Sequence, residues 1–200
     1  HWATPQPMVE AIAAATMADT ERFCSPMNAH PLFRRRYTYR RDDAAFGAEY
    51  DAYSVRFSGS WYMNPEYDAE ELTRALRWAQ TSAATDPCPN FGIAVLPRYA
   101  KAGHTGLLSR PGTHVLCTLP EGFRFAPQDA WAGDTDHSTG AKFAVDLVAV
   151  YNEGGRTKFG GGLGPGSPLE ALLRRDYGLR RRMTAPPAVP TPLSGRMAGK

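Results

Sequence analysis

The 200-residue chain is poor in cysteine: only Cys24, Cys88 and Cys117. They are too few and too scattered for a zinc site or a disulfide framework. They read as reduced thiols of a cytosolic or nuclear compartment. No apolar run approaches the roughly 18 residues that a membrane span needs, so no membrane partner is expected. The first residues, His1 to Pro5, contain neither an initiator Met nor the charged and apolar regions of a secretory signal. The expectation is a non-secreted segment of something longer, such as a polyprotein. No Gly-x-Ser-x-Gly elbow is present, which argues against a hydrolase. His104, His114 and His137 lack metal-ligand spacing, so no metal is assigned. There are no internal repeats.

What is present is ordinary globular composition, 42% hydrophobic and 22% charged. The length suits one domain with a core. Net charge is +3, but it is unevenly spread. Residues 160–200 hold seven of the 23 Lys and Arg residues and only two of the 20 acids. The body over 1–159 is therefore slightly acidic. Its basic exception is Arg34, Arg35, Arg36, Arg40 and Arg41, interleaved with Tyr37 and Tyr39. Such a stripe suits phosphate contact with stacking. It equally suits a solvated face paired with Asp42, Asp43, Glu49 and Asp51.

Periodicity predicts a helix over 6–18, with Met8, Val9, Ile12 and Met17 on one stripe. A short strand over ERFCS, a loop over 26–36 and a strand over 53–63 follow. The clearest helix is capped by Asp68, with Leu72, Ala75, Leu76 and Ala79 on one face. FGIAVLP (91–97), THVLCTL (113–119), GFRFA (122–126) and AKFAVDLVAVYN (141–152) read as strands. The expected class is α/β, with a mostly parallel sheet closed by an antiparallel pair. Residues 154–168 read as a Gly-rich linker. A short basic helix capped by Ser167 follows, with Leu169, Leu172 and Leu173 as its apolar edge. The end of the chain is Pro-rich. The domain is expected over 1–159, with a flexible basic tail over 160–200.

The segment Trp61-Tyr62-Met63-Asn64-Pro65-Glu66-Tyr67 lies between a strand and the best helix. A polar amide, a proline and an aromatic at a strand's carboxyl end suit a ligand site in an open α/β sheet. They also suit methylation of an exocyclic amine. The adenine N6 lone pair is delocalised into the ring. The Asn64 amide oxygen and the Pro65 carbonyl can accept its two hydrogens and favour a tetrahedral, attacking nitrogen. Tyr67 can stack on a base drawn from its helix. The alternative is a plain Asn-Pro turn with core aromatics.

In order and spacing the chain resembles the phage-type, Dam-like DNA N6-adenine methyltransferases, also found in some retrotransposons. The resemblance covers about residues 1–152. It runs through Trp2-Ala3-Thr4-Pro5, Arg22-Phe23-Cys24-Ser25 with Asn28, Tyr37-Thr38-Tyr39 with Asp42-Asp43, Trp61 to Tyr67, FGIAVLP, Gly122-Phe123-Arg124-Phe125 and VDLVAVY. It implies a Rossmann-like class I fold whose last strands form an antiparallel hairpin. It implies S-adenosylmethionine as methyl donor and DNA as substrate. Asn64, Pro65 and Tyr67 would be catalytic. Trp2, Thr4, Pro5, Cys24, Asp42 and Asp43 would line the cofactor pocket. Arg34, Arg35, Arg36, Arg40 and Arg41 would contact nucleic acid. Two positions depart from the family pattern: Glu66 replaces the second proline of Asn-Pro-Pro-Tyr, and Arg22 replaces the acid of the first strand. The alternatives left open are a non-catalytic module on the same fold and an RNA adenosine methyltransferase.

Overall fold

The computed structural model describes residues 3–25, 29–98, 103–126 and 140–187. Chain order is α1 (Gln6–Thr16), β1 (Thr20–Arg22), β2 (Arg35–Thr38), β3 (Glu49–Tyr50), β4 (Gly59–Met63), α2 (Ala69–Thr85), β5 (Asn90–Pro97), β6 (Thr113–Leu119), β7 (Val145–Tyr151), α3 (Glu153–Phe159) and α4 (Pro168–Asp176). The strands form one seven-stranded sheet in the order β3-β2-β1-β4-β5-β7-β6. The pairs among β1 to β5 are parallel. β7 is antiparallel to both β5 and β6. The chain is thus an α/β protein with a mixed, mostly parallel sheet and an antiparallel pair at one end, as expected.

Side chains alternate across the sheet. Tyr62, Phe91, Ile93, Val95, Leu147 and Ala149 face one core with α1 and α4. Trp61, Met63, Ala94, Leu96, Val148 and Val150 face the other with α2. Burial on both faces explains why β5 and β7 read as unbroken apolar runs. Gly92 lies opposite Trp61 in register. A Cβ there would run into the indole ring, so the close approach requires glycine. Asp68 caps α2, accepting from the backbone N–H of Glu70 and Glu71 at 2.9 and 3.0 Å.

Several elements differ from expectation. α1 stops at Thr16, because Met17 turns left-handed (φ 54°) and points out, 60% exposed. The arginine run read as loop supplies β2. Only residues 59–63 of the expected 53–63 strand pair, and 122–126 makes isolated bridges alone. Residues 153–159 form α3 rather than linker. Asn152 caps α3, and Gly155 lies against the Asn90 backbone, where a side chain would collide.

The expected boundary at 159 is also corrected. Leu163, Leu169, Leu173, Leu179 and Met183 are buried in the α1-side core. Ser167 caps α4 as expected, at 3.1 Å to the Glu170 N–H. Thr184 N–H donates to Leu116 O at 2.8 Å. Glycine and proline set local turns there, and leucine burial decides the packing. Residues 188–200 of the expected tail lie outside the described residues. No helix among the described residues is long and apolar enough to cross a membrane.

Candidate functional site

The sheet order places a switch point between β1 and β4. The chain leaves β1 toward β2 and β3 on one side, and β4 leads to β5 on the other. In open α/β sheets the crevice outside the carboxyl ends of such strands takes the ligand. Asn64-Pro65-Glu66-Tyr67 leaves β4 at that point. Asn64 and Pro65 are buried, while Glu66 and Tyr67 are half-buried. The Tyr67 hydroxyl donates to Asn64 Oδ1 at 3.0 Å, which orients the amide. The Tyr67 ring meets Phe125 and Phe143 nearly edge-on, with centroids 5.6 and 5.8 Å away.

Glu66 is not an isolated charge. Arg40 Nη2 donates to both of its carboxylate oxygens, at 2.9 and 2.8 Å. One nitrogen does both, so this is not the two-nitrogen fork of the strongest Arg–carboxylate pairs. The side chains are 48% and 36% exposed, which limits the pair to about 0.2–1 kcal/mol. β1 separates β2 from β4, so their ends stand about 10 Å apart. The pair therefore ties together the two loops that flank the end of β1.

At that end, successive residues take opposite faces. Arg22 points to the α2 side. Its guanidinium carbon lies 3.9 Å from the Tyr37 ring centroid and 4.5 Å from that of Phe57. Burial pulls its pKa down to about 10, so it stays charged at neutral pH. Phe23 follows with φ 64°, an uncommon left-handed conformation for a bulky residue, and packs on Tyr53 and Phe57. The Cys24 N–H and thiol both reach Tyr37 O, at 3.0 and 3.4 Å. Burial pushes that thiol up to about 12, so it is a packed neutral group.

Glu21 takes the other face, in a row with Tyr62 of β4 and Arg36 of β2. It accepts the His30 backbone N–H at 2.9 Å. Burial raises its carboxyl to about 8, against the pull of that hydrogen bond and of the Arg36 charge. His30 and Arg36 act on it, and Thr4 stands by Tyr62; Thr4 Oγ1, His30 Nε2 and Arg36 Nε are buried with no hydrogen-bond partner among the described residues. Thr4 lies close enough to Tyr62 to influence its hydroxyl, though not at bonding geometry. The Leu32 N–H donates to His30 Nδ1 at 3.2 Å, which leaves Nε2 as the protonated, donating nitrogen of the neutral ring. Sequence reasoning singled out Arg22 on this strand and gave Arg36 to a basic stripe. The strand alternation at Glu21-Arg22 was the signal available.

The other expected residues fall as follows. Pro5 precedes α1, and its carbonyl accepts from Met8 and Val9 at 3.0 and 3.1 Å. Asp43, half-buried just past β2, accepts the Thr38 hydroxyl at 3.1 Å. Asp42 is exposed in the 3-10 turn Arg41–Phe46. Trp2 and Asn28 lie outside the described residues. The arginine stripe does not stay together. Arg34 and Arg35 are exposed at the amino end of β2, roughly 10 Å or more along the strand from Arg40. Arg36 turns inward, Arg40 binds Glu66, and Arg41 is exposed. Among the described residues, no group of three or more His, Cys, Asp and Glu side chains is placed to hold a metal ion. No protein-family model matches the chain, and no curated protein matches it.

Proposed function

We propose that this chain transfers a methyl group from S-adenosylmethionine to the N6 amine of adenine in DNA, on a Rossmann-like class I methyltransferase fold. The observation that carries the reading is the buried Asn64-Pro65 pair at the carboxyl end of β4, on the switch point, with Asn64 Oδ1 held by the Tyr67 hydroxyl. The sheet supports it: without β7 the strand order is that of a doubly wound dinucleotide fold, and β7 is inserted antiparallel.

The residues around Glu21 fit the cofactor's zwitterionic amino-acid end. The Glu21 carboxylate suits an ammonium. Thr4, His30 and Arg36 offer unpartnered donors for a carboxylate. Asp43, beside the end of β2, suits a ribose hydroxyl. The cofactor supplies an already activated methyl on a sulfonium, so no strong general base is required. The protein's part is orientation and dipoles. Asn64 Oδ1 has a second lone pair beyond the Tyr67 bond. It would accept one amine hydrogen and the Pro65 carbonyl the other, orienting the nitrogen lone pair; the N–C bond would form as the donor's S–C bond breaks, and one N6 proton would leave to solvent. The Tyr67 face stacks on the extruded base.

A second reading is a non-catalytic module on the same fold. The buried Arg22 guanidinium, standing where the resemblance expects an acid, favours it. RNA is the competing substrate. The test is incubation with S-adenosylmethionine and unmethylated DNA or RNA, followed by mass spectrometry for N6-methyladenine. DNA methylation that is lost in Asn64→Ala supports the proposal. Methylation unchanged in Asn64→Ala removes the role of this loop, and none in any protein favours the non-catalytic module.

A further inference from the structure

We infer that the Arg40 guanidinium is a phosphate subsite for the DNA strand entering the crevice, and that Glu66 occupies it as an internal stand-in until DNA arrives. This rests on the proposed function for the identity of the strand. The geometry comes from the ion pair itself. Arg40 lies in the loop after β2 and Glu66 in the loop after β4, on either side of the end of β1. A carboxylate presents two oxygens much as a phosphodiester does. Glu66 engages only Nη2 of the guanidinium, and both partners are substantially exposed. A phosphate can take the planar two-nitrogen fork that the carboxylate leaves unused. Release is therefore easy, and exchange improves the geometry.

The position gives the exchange a consequence. Glu66 is two residues from Asn64 and adjoins Tyr67, so the pair stands beside the base site. When Arg40 moves to phosphate, the loop after β4 is untied from the loop after β2, and the crevice mouth between them opens. Arg40 Nε also donates to the Tyr39 hydroxyl at 3.2 Å. The pair would thus couple phosphate recognition to access. It also gives Glu66, at a position where the resemblance has proline, a definite role.

The test is a double-mutant cycle read by fluorescence anisotropy with a short labelled DNA duplex, across a series of salt concentrations and without cofactor. Thermal melts of each variant confirm folding. Glu66→Gln should tighten DNA binding by up to about fivefold, the most that an exposed pair of this kind can withhold. Arg40→Gln should weaken binding and reduce the slope of log K against log salt by about 1. Glu66→Gln should add nothing when residue 40 is Gln. A gain from Glu66→Gln that persists undiminished beside Arg40→Gln would mean simple charge repulsion and overturn the inference. So would unchanged binding in Glu66→Gln, no DNA binding by any variant, or the expected pattern with the matching RNA duplex only. Because no cofactor is present, failure of methyl transfer leaves this cycle readable. Active methyl transfer with a flat cycle defeats only the subsite.

Discussion

Replacing Glu21 by Gln should make the protein more stable at high pH, with little change at low pH. Glu21 is 4% exposed, and burial raises its carboxyl from an ordinary value of 4.5 to about 8. The groups facing it are Arg36 of β2, Tyr62 of β4 and His30, with Glu10 of α1 acting on His30. Between the two values the folded protein keeps a proton that the unfolded chain has released. Stability contributed by this group is therefore intact at low pH, falls as pH rises through that window, and levels off above about 8. The limiting slope is about 1.4 kcal/mol per pH unit, which accumulates to a few kcal/mol. Gln keeps an acceptor for the His30 N–H and does not ionise, so the variant escapes this loss. For a chain of this length, the advantage of Glu21→Gln in melting temperature should grow by roughly 5–10 °C between weakly acidic and weakly alkaline pH. Urea titrations of both proteins across that range measure the difference directly. Stability curves that run parallel with pH would refute a buried Glu21 that stays protonated at neutral pH.

Tyr67→Phe should keep the ring and lose the bond to Asn64 Oδ1, lowering kcat for methyl transfer about 2- to 13-fold, the worth of one neutral hydrogen bond. The KM for S-adenosylmethionine should stay unchanged, as steady-state kinetics can show. Leu173→Ala should cost about 2–5 kcal/mol because Leu173 is fully buried. A urea midpoint equal to that of the unsubstituted chain would contradict the packing of residues 160–187 into the core.

What could be read from sequence divides along physical lines. α2 was legible because its cap, acidic first turn and apolar face are all local signals. The runs forming β5 and β7 were legible because burial on both faces leaves an unmistakable composition. The loop Asn64 to Tyr67 was found from residue type and position between elements. β2 was missed because five of the eight residues from Arg34 to Arg41 are arginines around a short strand. Their cationic character reads as surface, although Arg36 turns inward. α3 was missed because Gly154 and Gly155 weaken local helix propensity, while close approach to Asn90 demands a glycine. The Arg40–Glu66 pair joins residues 26 positions apart, and no local pattern announces such a contact. Glu21 and Arg22 are adjacent on β1, and because neighbours on a strand serve different faces, the facing residue is not evident from residue type alone.

The most direct measurement is calorimetric titration of the folded chain with S-adenosylmethionine, repeated in buffers of different ionisation enthalpy. Micromolar binding is expected, strengthening as pH rises toward about 8, with proton release as Glu21 ionises against the incoming ammonium. A folded protein that gives no binding heat at alkaline pH in any buffer would contradict it.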